Sequence, residues 1–154
     1  MDIKYINPFL NSFLNVLPQL GLNDIKKNKV DIKGKEIEST GVIIILGVIG
    51  DIKGNIIYTT NMDGAKAIAS KMMMGMPVLE LDEMAQSAIS ELTNMLTANA
   101  ATLLAEDGIN IDISTPTLVY GDFTANASVD KVICIEMLVE GLPFEVNISL
   151  ENAK

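Results

Sequence analysis

Residues 132–150 read VICIEMLVEGLPFEVNISL and predict two long β-strands joined by a tight turn. Residues 132–139 are almost entirely apolar, and every second residue from Phe144 to Leu150 is apolar. Alternation with a period of two is typical of a strand that has one buried face. Because Glu140-Gly141 leaves room only for a turn, the two strands must run antiparallel.

A second hairpin of the same kind is predicted upstream. Residues 41–49 form a nearly continuous run rich in β-branched side chains, which indicates a strand that is buried on both faces or crosses a core. Residues 51–54 (DIKG) read as a turn that leads into a partner strand over residues 55–60. Val30 and Ile32 alternate with charged residues and predict a further short strand.

Two helices are predicted in the first half of the chain. Asn7 is placed as the cap of the first helix, with Pro8 at the first helical position, and Pro18 ends or kinks that helix. The second helix follows the upstream hairpin, with either Asn61 or Asp63 as its cap.

A third and much longer helix begins after the cap residue Asp82 and meets no helix breaker before Gly108. A weak internal repeat of helix, short strand, long apolar strand, turn and return strand runs over residues 8–60 and again over 82–151. We therefore expect residues 1–154 to form one α+β domain, with a mainly antiparallel sheet packed against helices and a pseudo-twofold relation between its halves.

The composition excludes several classes of function. Eleven basic residues against twenty acidic ones give a net charge of −9, which argues against a nucleic-acid partner. The chain has no histidine, and all eleven basic residues are lysines. Catalysis by a Ser-His-Asp or Cys-His pair, an imidazole zinc site and a bidentate arginine fork are therefore excluded.

The same composition indicates a cytoplasmic protein without a membrane partner. The longest apolar run, residues 41–50, is about half the length that a bilayer requires. The single cysteine, Cys134, excludes an internal disulfide and suits a reducing compartment. It lies in an apolar strand with Lys131 as its only basic neighbour in sequence, so it is predicted to be an unreactive core thiol.

The long helix carries a sparse polar row. At about 100° per residue, its predicted buried sector holds Met84, Ala85, Ala88, Ile89, Leu92, Met95, Leu96 and Leu103. Outside that sector lie Ser87, Glu91, Asn94, Ala98 and Ala101, with no lysine anywhere between Lys71 and Lys131. Judged on this pattern alone, the row is more often the ordinary polar side of an amphipathic helix than a functional site.

Residues 82–95, DEMAQSAISELTNM, favour a functional site over an ordinary polar face, because they resemble the signature of the CheC, CheX and FliY chemotaxis phosphatases. That signature is Asp or Ser, three residues, Glu, two residues, Asn, and a proline further on. It corresponds here to Ser87, Glu91, Asn94 and Pro116.

Two departures from the signature refine the resemblance. Twenty-one residues separate Asn94 from Pro116, one fewer than in the CheC pattern, which leaves the role of Pro116 open. The first helix has Ser12 three residues before Asn15, where a second active helix of the CheC type would have Glu. The chain therefore resembles the single-site CheX branch.

The resemblance implies a CheC/CheX-like fold and removal of the aspartyl phosphate from a phosphorylated CheY-like response regulator. It assigns catalytic roles to Glu91 and Asn94, and we expect Ser87 and Ala98 to contact the partner. It implies no cofactor or metal held by this chain, since Mg²⁺ is expected on the response regulator. It also implies a homodimer that shares sheet edges, for which the terminal hairpin is apolar enough.

Alternatives remain at this point. The same helix would also serve a non-catalytic module or scaffold that binds a response regulator in two-component signalling. The methionines of residues 72–76 are expected to fill the core rather than form an adaptable binding surface. Glu80, Asp82 and Glu83 are expected to cap the long helix and to interact with its dipole rather than to bind a metal ion.

Overall fold

The computed structural model describes residues 3–153, which fold into an antiparallel sheet with helices packed on one face. The described helices are α1 (Asn7–Val16), α2 (Met62–Met72) and α3 (Glu83–Glu106), with short 3-10 turns at Ile3–Tyr5 and Leu17–Leu20. The strands are β1 (Ile25–Lys33), β2 (Glu36–Glu38), β3 (Val42–Gly50), β4 (Ile52–Thr60), β5 (Ile111–Ile113), β6 (Thr117–Tyr120), β7 (Thr124–Asn126), β8 (Val132–Val139) and β9 (Leu142–Asn152). The predicted α+β class and antiparallel sheet are confirmed, whereas the internal repeat stays a prediction.

The main sheet has the strand order β1-β8-β9-β4-β3-β5, with β6 also paired to β3. The terminal hairpin β8–β9 therefore lies inside the sheet, since β8 pairs with β1 and β9 pairs with β4. The expectation that this hairpin offers a free edge to a second copy is wrong, because both of its outer sides are already hydrogen-bonded. The homodimer itself stays a prediction.

The terminal hairpin β8–β9 has a two-residue turn. Glu140 and Gly141 both have positive φ, at 52° and 79°, as a two-residue turn that matches the right-handed twist of its strands requires. The strand predicted over residues 132–139 is confirmed, and its partner extends from Leu142 to Asn152.

The core lies mainly between the sheet and the helices. Phe13 of α1 contacts Phe144 edge-on with 5.6 Å between ring centroids, and Tyr58 packs against both rings. Phe9 is also fully buried in this core, and most of the other members are aliphatic.

A second apolar cluster covers the other face of β3. The separate ribbon of β2 and β7 brings Ile37 onto Ile43 and Ile57, all three of which are buried. This ribbon was not predicted, but it accounts for the predicted burial of β3 on both faces.

One local prediction is wrong and another is confirmed. The side chain of Asn7 does not cap α1, since the cap position is Ile6, whose carbonyl accepts from the backbone N–H groups of Phe9 and Leu10. Val30 and Ile32 lie on a strand, as predicted, but they are exposed because β1 is an edge strand beyond the helical layer. No helix within residues 3–153 combines the length and the apolar character needed to cross a bilayer.

Candidate functional site

The long helix α3 carries the candidate site. Asp82 caps it as predicted, accepting a hydrogen bond from the backbone N–H of Ala85 at 2.9 Å. The helix contains 24 residues, a length of about 36 Å, and ends just before Gly108, whose φ is 81°. Such a long uninterrupted helix presents its outer side chains in a fixed geometry.

The buried face of α3 is rotated around the helix axis relative to the predicted sector, and Ala88, Met95 and Leu103 are only partly buried. Ala85, Ile89, Leu92 and Leu96 are buried as expected, and the other buried members are Thr93, Thr97, Ala100 and Leu104. The two threonines are satisfied within the helix, because Thr93 Oγ1 donates to the carbonyl oxygen of Ser90 and Thr97 Oγ1 donates to that of Thr93, both at 2.7 Å.

Met84 is the clear error of the predicted buried sector. Its side chain is 63% exposed. At about 100° per residue it lies within roughly 20° of Glu91 around the helix axis, on the side opposite the buried face. The sector drawn from hydrophobicity alone was therefore too wide at its N-terminal end.

The polar row lies on the outward side of α3. Ser87, Glu91 and Ala98 are exposed and Asn94 is partly exposed. Within the part of the chain that the structure describes, the side chains of Glu91 and Asn94 have no hydrogen-bond or ion-pair partner. The carboxylate and the amide, three residues apart on one helix face, are therefore both available to an incoming molecule.

A groove runs beside the first half of this row. It has a volume of about 460 Å³ and is lined by Glu83, Gln86, Ser87, Ser90, Pro116 and Leu118. Pro116 thus lies across from Ser87, although the two are far apart in sequence. Sequence reasoning missed Gln86 and Leu118, because only the fold brings β6 alongside α3.

The first helix does not offer a second site of this kind. Ser12 is fully buried and its hydroxyl donates to the carbonyl oxygen of Phe9 at 2.6 Å. Asn15 is exposed, but its amide donates to Asn99 Oδ1 of α3 at 3.2 Å. The position three residues before Asn15 therefore faces the core rather than solvent.

Two further predictions concern side chains near the start of α3. Asp82 is engaged as the helix cap, and no group of three or more Cys, Asp or Glu residues among those described is arranged to hold a metal ion. Met72 and Met73 are partly buried, but Met74 and Met76 are 97% and 57% exposed. Core filling is therefore the wrong role for Met74 and Met76, because the chain leaves α2 in a turn that points them to solvent.

Comparisons with known proteins bear on the whole chain. A sequence model of the family described as Chemotaxis phosphatase CheX matches residues 42–138. The CheY-P phosphatase CheX of Thermotoga maritima is 33% identical over 122 residues, which are 79% of this chain and 78% of that protein.

Solved structures agree with the sequence likeness. A CheC-like superfamily protein from Shewanella sp. PV-4 has a TM-score of 0.87 and 29% identity, over 99% of this chain and 100% of that chain. A chain of the CheX–CheY–BeF3–Mg²⁺ complex from Borrelia burgdorferi has a TM-score of 0.77 and 25% identity, over 98% of this chain and 100% of that chain.

The fold is that of the CheC-like class of chemotaxis phosphatases. Within that class, the chain belongs to the CheX family.

Proposed function

We propose that this protein is a phosphatase that hydrolyses the aspartyl phosphate of a CheY-like response regulator. The observation that carries the proposal is that the side chains of Glu91 and Asn94 lie on the outward side of a rigid helix and have no hydrogen-bond or ion-pair partner among the described residues. The T. maritima relative is named a CheY-P phosphatase, and a structural relative is solved in complex with CheY, BeF3 and Mg²⁺. Both names support a phosphorylated response regulator as the substrate.

Asn94 is proposed to orient the attacking water. Its amide offers both a donor and an acceptor, so one side chain can hold a water in line with the bond between phosphorus and the aspartyl oxygen. A carboxylate at the same position would repel the phosphoryl oxygens. The partly exposed position of Asn94 leaves the amide accessible while limiting the volume that it samples.

Glu91 is proposed to pair with the active-site lysine of the regulator. Its carboxylate is exposed and has no partner within residues 3–153, so an incoming amine would not have to displace one. A charge-assisted hydrogen bond one turn from Asn94 would set the register of the helix against the phosphorylation site. The nearby Ser87 and Ala98 are small, which lets the partner backbone approach closely.

Because the regulator would supply part of the catalytic site, this chain needs few reactive side chains of its own. Phosphoryl transfer depends mainly on positioning and charge stabilisation. The regulator would supply Mg²⁺ and the groups that surround the phosphoryl oxygens, and this chain would add an oriented water. The absence of histidine and arginine from the sequence is compatible with that role.

The second candidate is a module that binds the regulator without turnover, since the same exposed row would serve docking alone. Phosphate release from a regulator charged with acetyl phosphate separates the two. A phosphatase at substoichiometric amounts will accelerate release over many turnovers. A stable complex with the charged regulator and an unaltered release rate would support the module and contradict the proposal.

A further inference from the structure

An exposed apolar patch lies next to the candidate site. Ten large apolar side chains are exposed among the described residues, and four of them fall between residues 74 and 84. We call them the apolar patch: Met74, Met76, Leu79 and Met84. Isolated exposed apolar residues are ordinary, but several within one short segment indicate an interaction surface.

The segment that presents the patch is held in place by specific contacts. Ser70 Oγ donates to the carbonyl oxygen of Met76, and Gln86 Nε2 donates to that of Leu81, both at 2.8 Å. Leu81 is only 9% exposed, so the segment is also anchored in the core. The exposure of the four side chains is therefore a property of the ordered fold.

The backbone is strained at one residue of the patch, Met74. Met74 has a φ of 60°, in the left-handed region that residues other than glycine rarely occupy. The chain thus accepts a strained backbone at the residue whose side chain is almost completely exposed.

Two members of the patch, Met84 and Leu79, lie close to the row of candidate catalytic residues. Met84 lies about 10 Å along the helix axis from Glu91 and faces nearly the same direction. Leu79 and Asp82 line one shallow depression, which places Leu79 beside the first turn of α3. A protein that reaches Glu91 and Asn94 from solvent would therefore also cover Met84 and Leu79.

Charge specifies the chemistry of that protein. Glu80 and Glu83 border the patch, and neither has an ion-pair partner among the residues that the structure describes. With Glu91 they form an acidic rim on the α3 side of the patch, while the exposed Lys71 precedes Met74 by three residues on the α2 side. The surface therefore fits a partner with apolar side chains surrounded by amines.

We propose that the response regulator docks on the apolar patch, with Leu79 and Met84 as the anchors that supply affinity while Asn94 serves the chemistry. This inference rests on the proposed function, because it takes the regulator as the partner. It assigns anchoring affinity to the apolar side chains and hydrolysis to Asn94, while Glu91 adds a charged contact to the same interface.

The test uses Leu79→Ser, Met84→Ser and the double variant. Each is titrated against a CheY-like regulator charged with beryllium fluoride and Mg²⁺, because beryllium fluoride mimics the aspartyl phosphate and is not turned over. The double variant should raise Kd on the order of tenfold, because anchor residues carry most of the affinity of an interface. Its dephosphorylation rate at saturating phosphatase should change less than twofold.

Leu14→Ser is the matched control, since Leu14 is 51% exposed on α1. It should leave Kd unchanged. An unchanged Kd in the double variant overturns the inference, and so does an altered oligomeric state with unaltered regulator affinity, which would make the patch an interface between copies. If the wild-type protein binds through the patch but releases no phosphate, the proposed function fails while the docking surface stands.

Discussion

Tyr58 Oη lies 2.8 Å from Thr97 Oγ1, and this buried hydrogen bond joins the central strand β4 to the middle of α3. Thr97 uses its single proton to donate to the carbonyl oxygen of Thr93, so Tyr58 must be the donor. Burial raises the pKa of the Tyr58 hydroxyl, which keeps that proton in place. The bond fixes how α3 is rotated on the sheet, and that rotation turns Glu91 and Asn94 outward.

Tyr58→Phe should therefore lower the free energy of unfolding by about 1 kcal/mol, the usual contribution of a buried neutral hydrogen bond. Urea unfolding of the two proteins measures the difference. Tyr120→Phe is the control, because Tyr120 is 54% exposed. Equal losses in both variants would show that the Tyr58–Thr97 bond has no special part in holding α3.

Glu91→Gln should weaken binding to the charged regulator by roughly tenfold or more, because a hydrogen bond between charged groups contributes about 1.5–3 kcal/mol. It should also reduce the dependence of Kd on salt, since one ion pair is removed. Glu106→Gln, at the far end of the same helix, should change neither quantity. Titrations at two salt concentrations check both effects, and identical behaviour of the two variants would remove Glu91 from the interface.

Cys134 should resist alkylation. Burial raises the pKa of its thiol to about 11, and the side chain is almost completely inaccessible. At pH 8 the native protein should react with iodoacetamide at least on the order of 100-fold more slowly than in urea, where the pKa returns to about 8.5. Reaction rates within tenfold of each other would contradict the buried placement.

The raised pKa of Cys134 also has a consequence for stability. Between the unfolded pKa of about 8.5 and the folded value, the unfolded state loses the thiol proton and the folded state keeps it. This group therefore lowers stability as the pH rises through that window. The structure also places Lys33 near the thiol, which the sequence did not indicate, because β1 and β8 are paired only in the fold.

Local signals in the sequence predicted the elements that carry the site. The Asp82 cap and the unbroken helical pattern up to Gly108 define α3, and the alternation in residues 144–150 predicts β9, although Asn147 and Ser149 on its polar face are also fully buried. The cap, the helix and the strand each depend on residues that are close together in sequence, so the pattern of a short segment was sufficient to predict them.

Features that depend on distant residues were missed. Glu140-Gly141 predicted a turn, but nothing local indicated that β1 would cover the outer side of β8. The exposure of Met84 and Met74 could not be seen either, because hydrophobicity predicts burial whether or not a covering layer reaches that point. The groove between Ser87 and Pro116 likewise exists only once β6 has paired with β3.

The most direct measurement is the single-turnover dephosphorylation rate of Asn94→Ala at saturating phosphatase, compared with wild type and with Asn23→Ala at an exposed asparagine remote in sequence. If Asn94 positions the attacking water, its removal should slow the step on the order of 100-fold, the scale of lost reactant positioning. Binding to the beryllium-fluoride-charged regulator should stay within threefold of wild type, and Asn23→Ala should behave as wild type. An Asn94→Ala protein that dephosphorylates the regulator at the wild-type rate would contradict the mechanism.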